Sequence, residues 1–232
     1  MTSSPELPPT DLDRRSLLAR ISAGAAALLA GSAAISGVAT AQGKPIRLVA
    51  FGDSLTAGYG LPKGKGFAPR LEAALRGAGL HVEVIDAGVS GDTTDMGLAR
   101  LDWSVPADAQ AVIVELGAND ALRGLPPEAA RRNLDEIVAR LTARGQKVLV
   151  AGMMAPRNLG PAYVAAFDPI FAEVAQAHGA LLHPFFLDGV ALDARLVLPD
   201  GLHPSAEGVE VIVARILPKV RELLARVAEA RP

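Results

Sequence analysis

The sequence predicts an α/β protein, a three-layer α/β/α sandwich around a five-stranded parallel sheet of flavodoxin-like order 2-1-3-4-5. Three observations predict it. Short apolar runs alternate with stretches of helical spacing along the chain after residue 45. The runs are apolar on both faces, which suits strands of a parallel sheet covered by helices on both sides. Five such units fit one domain of a 232-residue chain.

The elements follow in order. Ile46–Phe51 is a buried strand ending at Gly52, and Phe67–Gly77 is a helix with Leu71 and Leu75 four apart. Val82–Ala87 is the second strand. Thr93–Leu101 is a short helix with a threonine available to cap it. Ala111–Leu116 is the third strand. Pro126–Arg144 is a helix with proline at its start and Gly145 just past its end. Lys147–Ala151 is the fourth strand. Ala162–His178 has helical spacing but contains Pro169, which should kink or split it. Leu181–His183 is a brief fifth strand, and Gly208–Ala230 a long closing helix with Pro218 inside it. In such a sheet the ligand site lies at the carboxyl ends of the strands, where the strand order reverses. That rule points to the loops opening at Gly52 and Gly117.

Residues 1–41 differ in kind. Arg14-Arg15 precede a weakly hydrophobic run from Leu17 to Val38, and Ala39-Thr40-Ala41 places small residues at the −3 and −1 positions of a cleavage site. This is the layout of an export signal, and the arginine pair resembles a twin-arginine signal. The expected mature domain is 42–232, periplasmic or secreted. The other reading is an uncleaved membrane anchor: the run is long enough to span, but its Ala, Gly and Ser content makes it a poor membrane helix, so no stable membrane insertion is expected after cleavage.

Composition narrows the chemistry. Half the residues are hydrophobic and 21% are charged, which supports a sizeable core. The formal net charge of −2, with basic residues scattered, gives no reason to expect nucleic acid or an anionic membrane surface as partner. The chain has no cysteine, which excludes disulfides, thiolate metal sites and a cysteine nucleophile. His81, His178 and His183 stand in no metal-ligand spacing, so no metal site is expected. Gly58-Tyr59-Gly60 lacks the third glycine or Lys-Ser/Thr pair of a phosphate loop, and no cofactor is expected. Trp103 is expected to pack structurally.

Four loops carry candidate chemistry. Gly52-Asp53-Ser54-Leu55 follows the first strand and can set Ser54 in a tight turn with its hydroxyl exposed. If a helix follows, the Ser54 N–H points where an oxyanion forms. Asp200-Gly201-Leu202-His203 can place a carboxylate beside His203 Nδ1, leaving Nε2 free to serve as base. Asn119, after the third strand, can donate its side-chain amide, and Gly91, after the second, its backbone N–H. Asp53 is a rival carboxylate, read as fixing the turn, and Asp120 as holding the Asn119 loop. Leu122 and Leu125 either line an acyl groove or support the next helix. Each motif alone is compatible with an ordinary turn. Together they supply a nucleophile, an oriented base and three donors, which is the equipment for acyl transfer. Gly-x-Ser-x-Gly is absent, so the usual α/β-hydrolase elbow is not used.

The four blocks resemble those of the SGNH, or GDSL, hydrolases, whose name letters are met by Ser54, Gly91, Asn119 and His203 in order. Gly52–Tyr59, Ser90–Leu101, Val114–Gly124 and His183–Phe186 look closest to the periplasmic thioesterase/lysophospholipase/arylesterase branch. The resemblance implies the SGNH hydrolase fold. It also implies a serine esterase with catalytic Ser54, Asp200 and His203, oxyanion donors Ser54, Gly91 and Asn119, and a small-molecule ester as substrate. Two other readings stay open. One is O-deacetylation of a carbohydrate by the same triad; the other is a silent fold that binds lipid or acyl groups.

Overall fold

A computed structural model describes residues 44–230. The expected export signal and the expected mature start at Gln42 lie outside the described residues. Five strands form one sheet in the order β2-β1-β3-β4-β5, every pair parallel. They are β1 (Ile46–Gly52), β2 (Val82–Gly88), β3 (Ala111–Glu115), β4 (Lys147–Ala151) and β5 (Leu181–His183). The order reverses at β1, between β2 and β3, as the alternation of apolar runs and helices predicts.

The helices are α1 (Ser54–Ala57), α2 (Phe67–Gly77), α3 (Thr94–Ser104), α4 (Ala118–Leu122), α5 (Pro127–Ala143), α6 (Pro161–Phe167), α7 (Ile170–Ala177) and α8 (Ala206–Glu229). Helices α2 and α8 pack on each other and against the sheet, while α3, α5 and α7 form the other layer. Helix α8 shows why a helix lies down on a sheet. Val209, Ile212, Val213, Ile216, Val220, Leu223 and Val227 are buried at three- and four-residue steps, one apolar stripe facing the core. The central strand β3 is buried along its whole length, and so are β1 from Leu48 and β4 from Val148.

Most boundaries fall within a residue or two of the sequence expectation. Thr93 caps α3, its Oγ1 accepting from Met96 N at 3.4 Å. Pro169 divides the expected 162–178 helix into α6 and α7, because a prolyl nitrogen has no N–H to continue the ladder. The single-turn helices α1 and α4 follow β1 and β3 without a periodic pattern of their own. Trp103 corrects an expectation: it is 77% exposed on α3 rather than packed. Its neighbours Leu101 and Val105 take the buried positions.

The register sets Gly52 beside Gly88 on one side and Glu115 on the other. A Cβ on Gly88 would lie 2.4 Å from Ala57 N and 2.9 Å from Asp53 O, both backbone atoms of the turn after β1. Gly88→Ala is therefore expected to cost about 1–3 kcal/mol in urea unfolding. At Gly77 nothing lies within 4 Å of the added carbon, so Gly77→Ala is expected to be neutral or stabilising by up to about 1 kcal/mol. Equal effects at the two positions would show that the β2–α1 contact is not tight.

Candidate active site

The turn after β1 is built by Asp53. Its carboxylate accepts from Leu55 N at 2.9 Å and caps α1. Gly58, at φ +70°, closes the other end. This places Ser54 at the first position of α1, 8% exposed. Its N–H finds no acceptor among the described residues.

His203 comes from a loop 149 residues away, and its Nε2 lies 2.9 Å from Ser54 Oγ. Its Nδ1 lies 2.7 Å from Asp200 Oδ2. Asp200 Oδ1 accepts from the backbone N–H groups of Leu202 at 2.9 Å and His203 at 3.0 Å. Those N–H groups and the imidazole hold the Asp200 carboxyl down, to about 2. An ionised carboxylate only accepts, so Nδ1 carries the ring proton and the Nε2 lone pair faces the serine hydroxyl. Gly201 at φ +72° lets the loop fold back within three residues. The Tyr59 ring packs on the imidazole, centroids 4.6 Å apart, a contact between residues far apart in the chain that no local pattern announces.

Asn119 stands in the first turn of α4, after Gly117 at φ +114°. Its Nδ2 donates to Asp53 Oδ2 at 3.1 Å and to Asp92 O at 3.0 Å. Both neighbours are acceptors, which assigns the nitrogen end of the amide to this side and engages both of its hydrogens. Asp120 anchors this loop as expected: its carboxylate accepts from Thr94 N at 2.8 Å and Thr94 Oγ1 at 2.6 Å. Gly91 sits at φ +90°, with its carbonyl accepting from Arg123 at 2.7 Å. Its N–H, like that of Ser54, has no acceptor among the described residues.

Two buried carboxyls lie under the turn. Burial pushes Asp53 up to about 6, against the Leu55 and Asn119 hydrogen bonds that pull it down. Glu115, at the end of β3, is pushed well above the carboxylate range by burial and then by Asp53. Its Oε2 accepts from Thr56 Oγ1 at 2.8 Å and from Asp53 N at 3.4 Å. Glu115 escaped the sequence reading; its only signal is an acid closing a wholly apolar strand.

Ser54, Asn119 and His203 line a cavity of about 530 Å³ whose other walls include Leu122, Met153, Phe185, Val190 and Leu192. Leu122 is thus a wall of this cavity, while Leu125 is not. A second cavity of about 530 Å³ adjoins Gln146, Lys147, His178 and Arg226 at the amino ends of β4 and β5, where no hydroxyl faces an imidazole.

A hydroxyl on a histidine, a carboxylate on its far nitrogen and two unpaired N–H groups make an arrangement suited to nucleophilic attack on a carbonyl. Residues 50–211 match the GDSL-like Lipase/Acylhydrolase family, and the chain belongs to it. It is 36% identical over 200 residues to Esterase TesA of Pseudomonas aeruginosa, covering 86% of this chain and 99% of that protein. It is 39% identical over 165 residues to an arylesterase of Vibrio mimicus, covering 69% of this chain and 81% of the other. The solved structure of AlinE4, an SGNH-hydrolase family esterase, superposes with a TM-score of 0.66 at 46% identity, covering 78% of this chain and 98% of that one.

Asp53 makes stability pH-dependent in a stated direction. Its folded value of about 6 exceeds the ordinary 3.8, so the folded state binds the proton more tightly. Its stabilising contribution is full below 3.8 and is lost as pH rises through about 6. Asp53→Asn escapes that loss. The unfolding free energy of the variant, relative to wild type, is expected to improve between about pH 4 and pH 6 in urea titrations and to level off at higher pH. A difference that does not change with pH would contradict the raised value.

Proposed function

We propose that this chain is an exported serine esterase that hydrolyses carboxylic esters through an acyl-enzyme on Ser54. The observation that carries the reading is the continuous contact from Asp200 through His203 to Ser54, opening into an apolar cavity. His203 Nε2 takes the Ser54 proton as Oγ attacks the ester carbonyl. Asp200 keeps the tautomer and stabilises the imidazolium. The N–H groups of Ser54 and Gly91 receive the developing oxyanion, with the Asn119 amide as third donor when one of its N–H groups turns from Asp53 or Asp92 to the oxyanion. His203 then protonates the leaving alcohol, phenol or thiol, and water repeats the sequence on the acyl-enzyme.

The cavity supports the acyl side of the reading. Leucine, methionine, phenylalanine and valine walls suit an aliphatic chain better than a sugar, which favours acyl esters over carbohydrate deacetylation. The TesA and arylesterase relatives point the same way. The substrate of this reading is a small-molecule ester.

Export is the second part of the proposal. Arg14-Arg15 and the small-residue stretch ending at Ala41 support passage by the twin-arginine route and cleavage before Gln42. Among the described residues no helix is long and apolar enough to cross a membrane.

Two measurements test this. On purified mature protein, a p-nitrophenyl ester series is expected to show turnover that Ser54→Ala, still folded, loses by at least about a thousandfold. The rate is expected to rise from acetate toward medium acyl chains as the cavity fills. Retained activity in Ser54→Ala would remove Ser54 as nucleophile, and a strict acetate preference would restore the deacetylase reading. In a bacterial host, Arg14→Lys with Arg15→Lys is expected to leave uncut precursor in the cytoplasm. Normal export of that variant would exclude the twin-arginine route.

A further inference from the structure

Arg100 is the most deeply buried cation in the described chain to be engaged on every guanidinium nitrogen. Its side chain is 6% exposed. From α3 its Nε donates to Asp92 Oδ2 at 2.5 Å, Nη1 to Ala87 O at 2.9 Å and Nη2 to Gly52 O at 2.8 Å. The guanidinium also lies over the Phe51 ring, 4.3 Å from its centroid. These partners belong to three separate segments: the end of β1, the end of β2 and the loop that follows β2.

Each segment leads to one of the proposed oxyanion donors. Gly52 O is the last carbonyl before the Asp53–Ser54 turn. Asp92 directly follows Gly91, and Asp92 N closes that loop onto Val89 O at 3.2 Å. The Asp92 carbonyl in turn accepts from Asn119 Nδ2. One guanidinium therefore sets the spacing between the turn carrying the Ser54 N–H, the loop carrying the Gly91 N–H and the acceptor that orients the Asn119 amide. Oxyanion stabilisation depends on donors being fixed before charge develops. Only an arginine offers planar donors in three directions; a lysine ammonium cannot span the same three acceptors.

We propose that Arg100, acting through Asp92 and Gly52, is the positioning residue of the oxyanion donors. It touches no substrate, and its effect is on the geometry of the groups that do. The inference rests on the serine esterase reading, and the experiment separates the two.

Wild type, Ser54→Ala and Arg100→Lys are compared on p-nitrophenyl butyrate, each checked for folding by circular dichroism. Two inhibitors of equal chain length are included: a trifluoromethyl ketone, which adds Ser54 Oγ to form an oxyanion, and the corresponding alcohol, which does not. Arg100→Lys is expected to lose about a hundredfold in kcat, the scale of one lost donor, with KM within about twofold. Affinity for the ketone is expected to fall by the same factor and affinity for the alcohol to stay. A merely structural role would not split the two inhibitors. Arg100→Lys with kcat within about threefold of wild type, or with alcohol and ketone weakened alike, overturns the proposal. Asp92→Asn, which keeps shape and removes the charge, is the second variant should Arg100→Lys not fold. It is expected to lose about tenfold in kcat with the same split, and wild-type kcat in it overturns the proposal. An inactive wild type or an active Ser54→Ala instead overturns the esterase reading itself.

Discussion

At the carboxyl end of β1 three backbones meet with no room for a side chain at position 52. A Cβ there would lie 2.1 Å from Thr56 Oγ1 and 2.6 Å from the Glu115 carbonyl. The close approach follows from the register of the central strands, which sets Gly52 between Gly88 and Glu115. Glycine at 52 lets the chain leave β1 directly into α1, and glycine at 88 gives that turn its space. The place of Ser54, its unpaired N–H and its reach to His203 all descend from this junction. It lies at the reversal of strand order, where the loops of adjoining strands diverge and leave a crevice.

Around this junction the carboxyls divide by environment. Asp200 stands at the surface, bathed in N–H donors, and stays ionised far below neutral pH. Asp53 and Glu115 are buried without a cation against them, and both hold their protons longer. The surface carboxylate is thus the one suited to stabilise an imidazolium. The buried pair shapes the turn beneath the serine, Asp53 through Leu55 and Asn119, and Glu115 through Thr56. Asp92, in contrast, is buried against Arg100. Burying such a pair is costly unless its remaining hydrogen bonds are made, and here every guanidinium nitrogen has an acceptor.

Much of the fold was legible because the signals are local. Apolar runs and helical spacing repeat along the chain, so strand order and layers follow from counting units and applying the rules of parallel sheets. Pro169 announced its own break. The meeting of Ser54, His203 and Asp200 was legible because a glycine turn after a strand and the Asp-x-x-His spacing are local patterns. What escaped was the contact made only in three dimensions. Tyr59 meets His203, Arg100 meets Gly52, and Met153 lines the cavity with Leu192, each pair far apart in sequence. No periodicity records such a meeting. Arg100 reads as one more scattered basic residue on a helix, and Glu115 as an acid at a strand's end. Trp103 failed for the opposite reason: size suggests burial, but its place on the helix faces solvent.

The central claim is that Ser54 is the residue that becomes acylated. The direct measurement is intact and peptide mass analysis after treatment with diethyl p-nitrophenyl phosphate, which phosphorylates an activated serine hydroxyl far faster than an ordinary side chain. One diethylphosphoryl group per chain is predicted, located on Ser54, with labelling slowed at least about a hundredfold in His203→Ala. No adduct on the active protein, an adduct on another residue, or full-rate labelling without His203 would contradict the account.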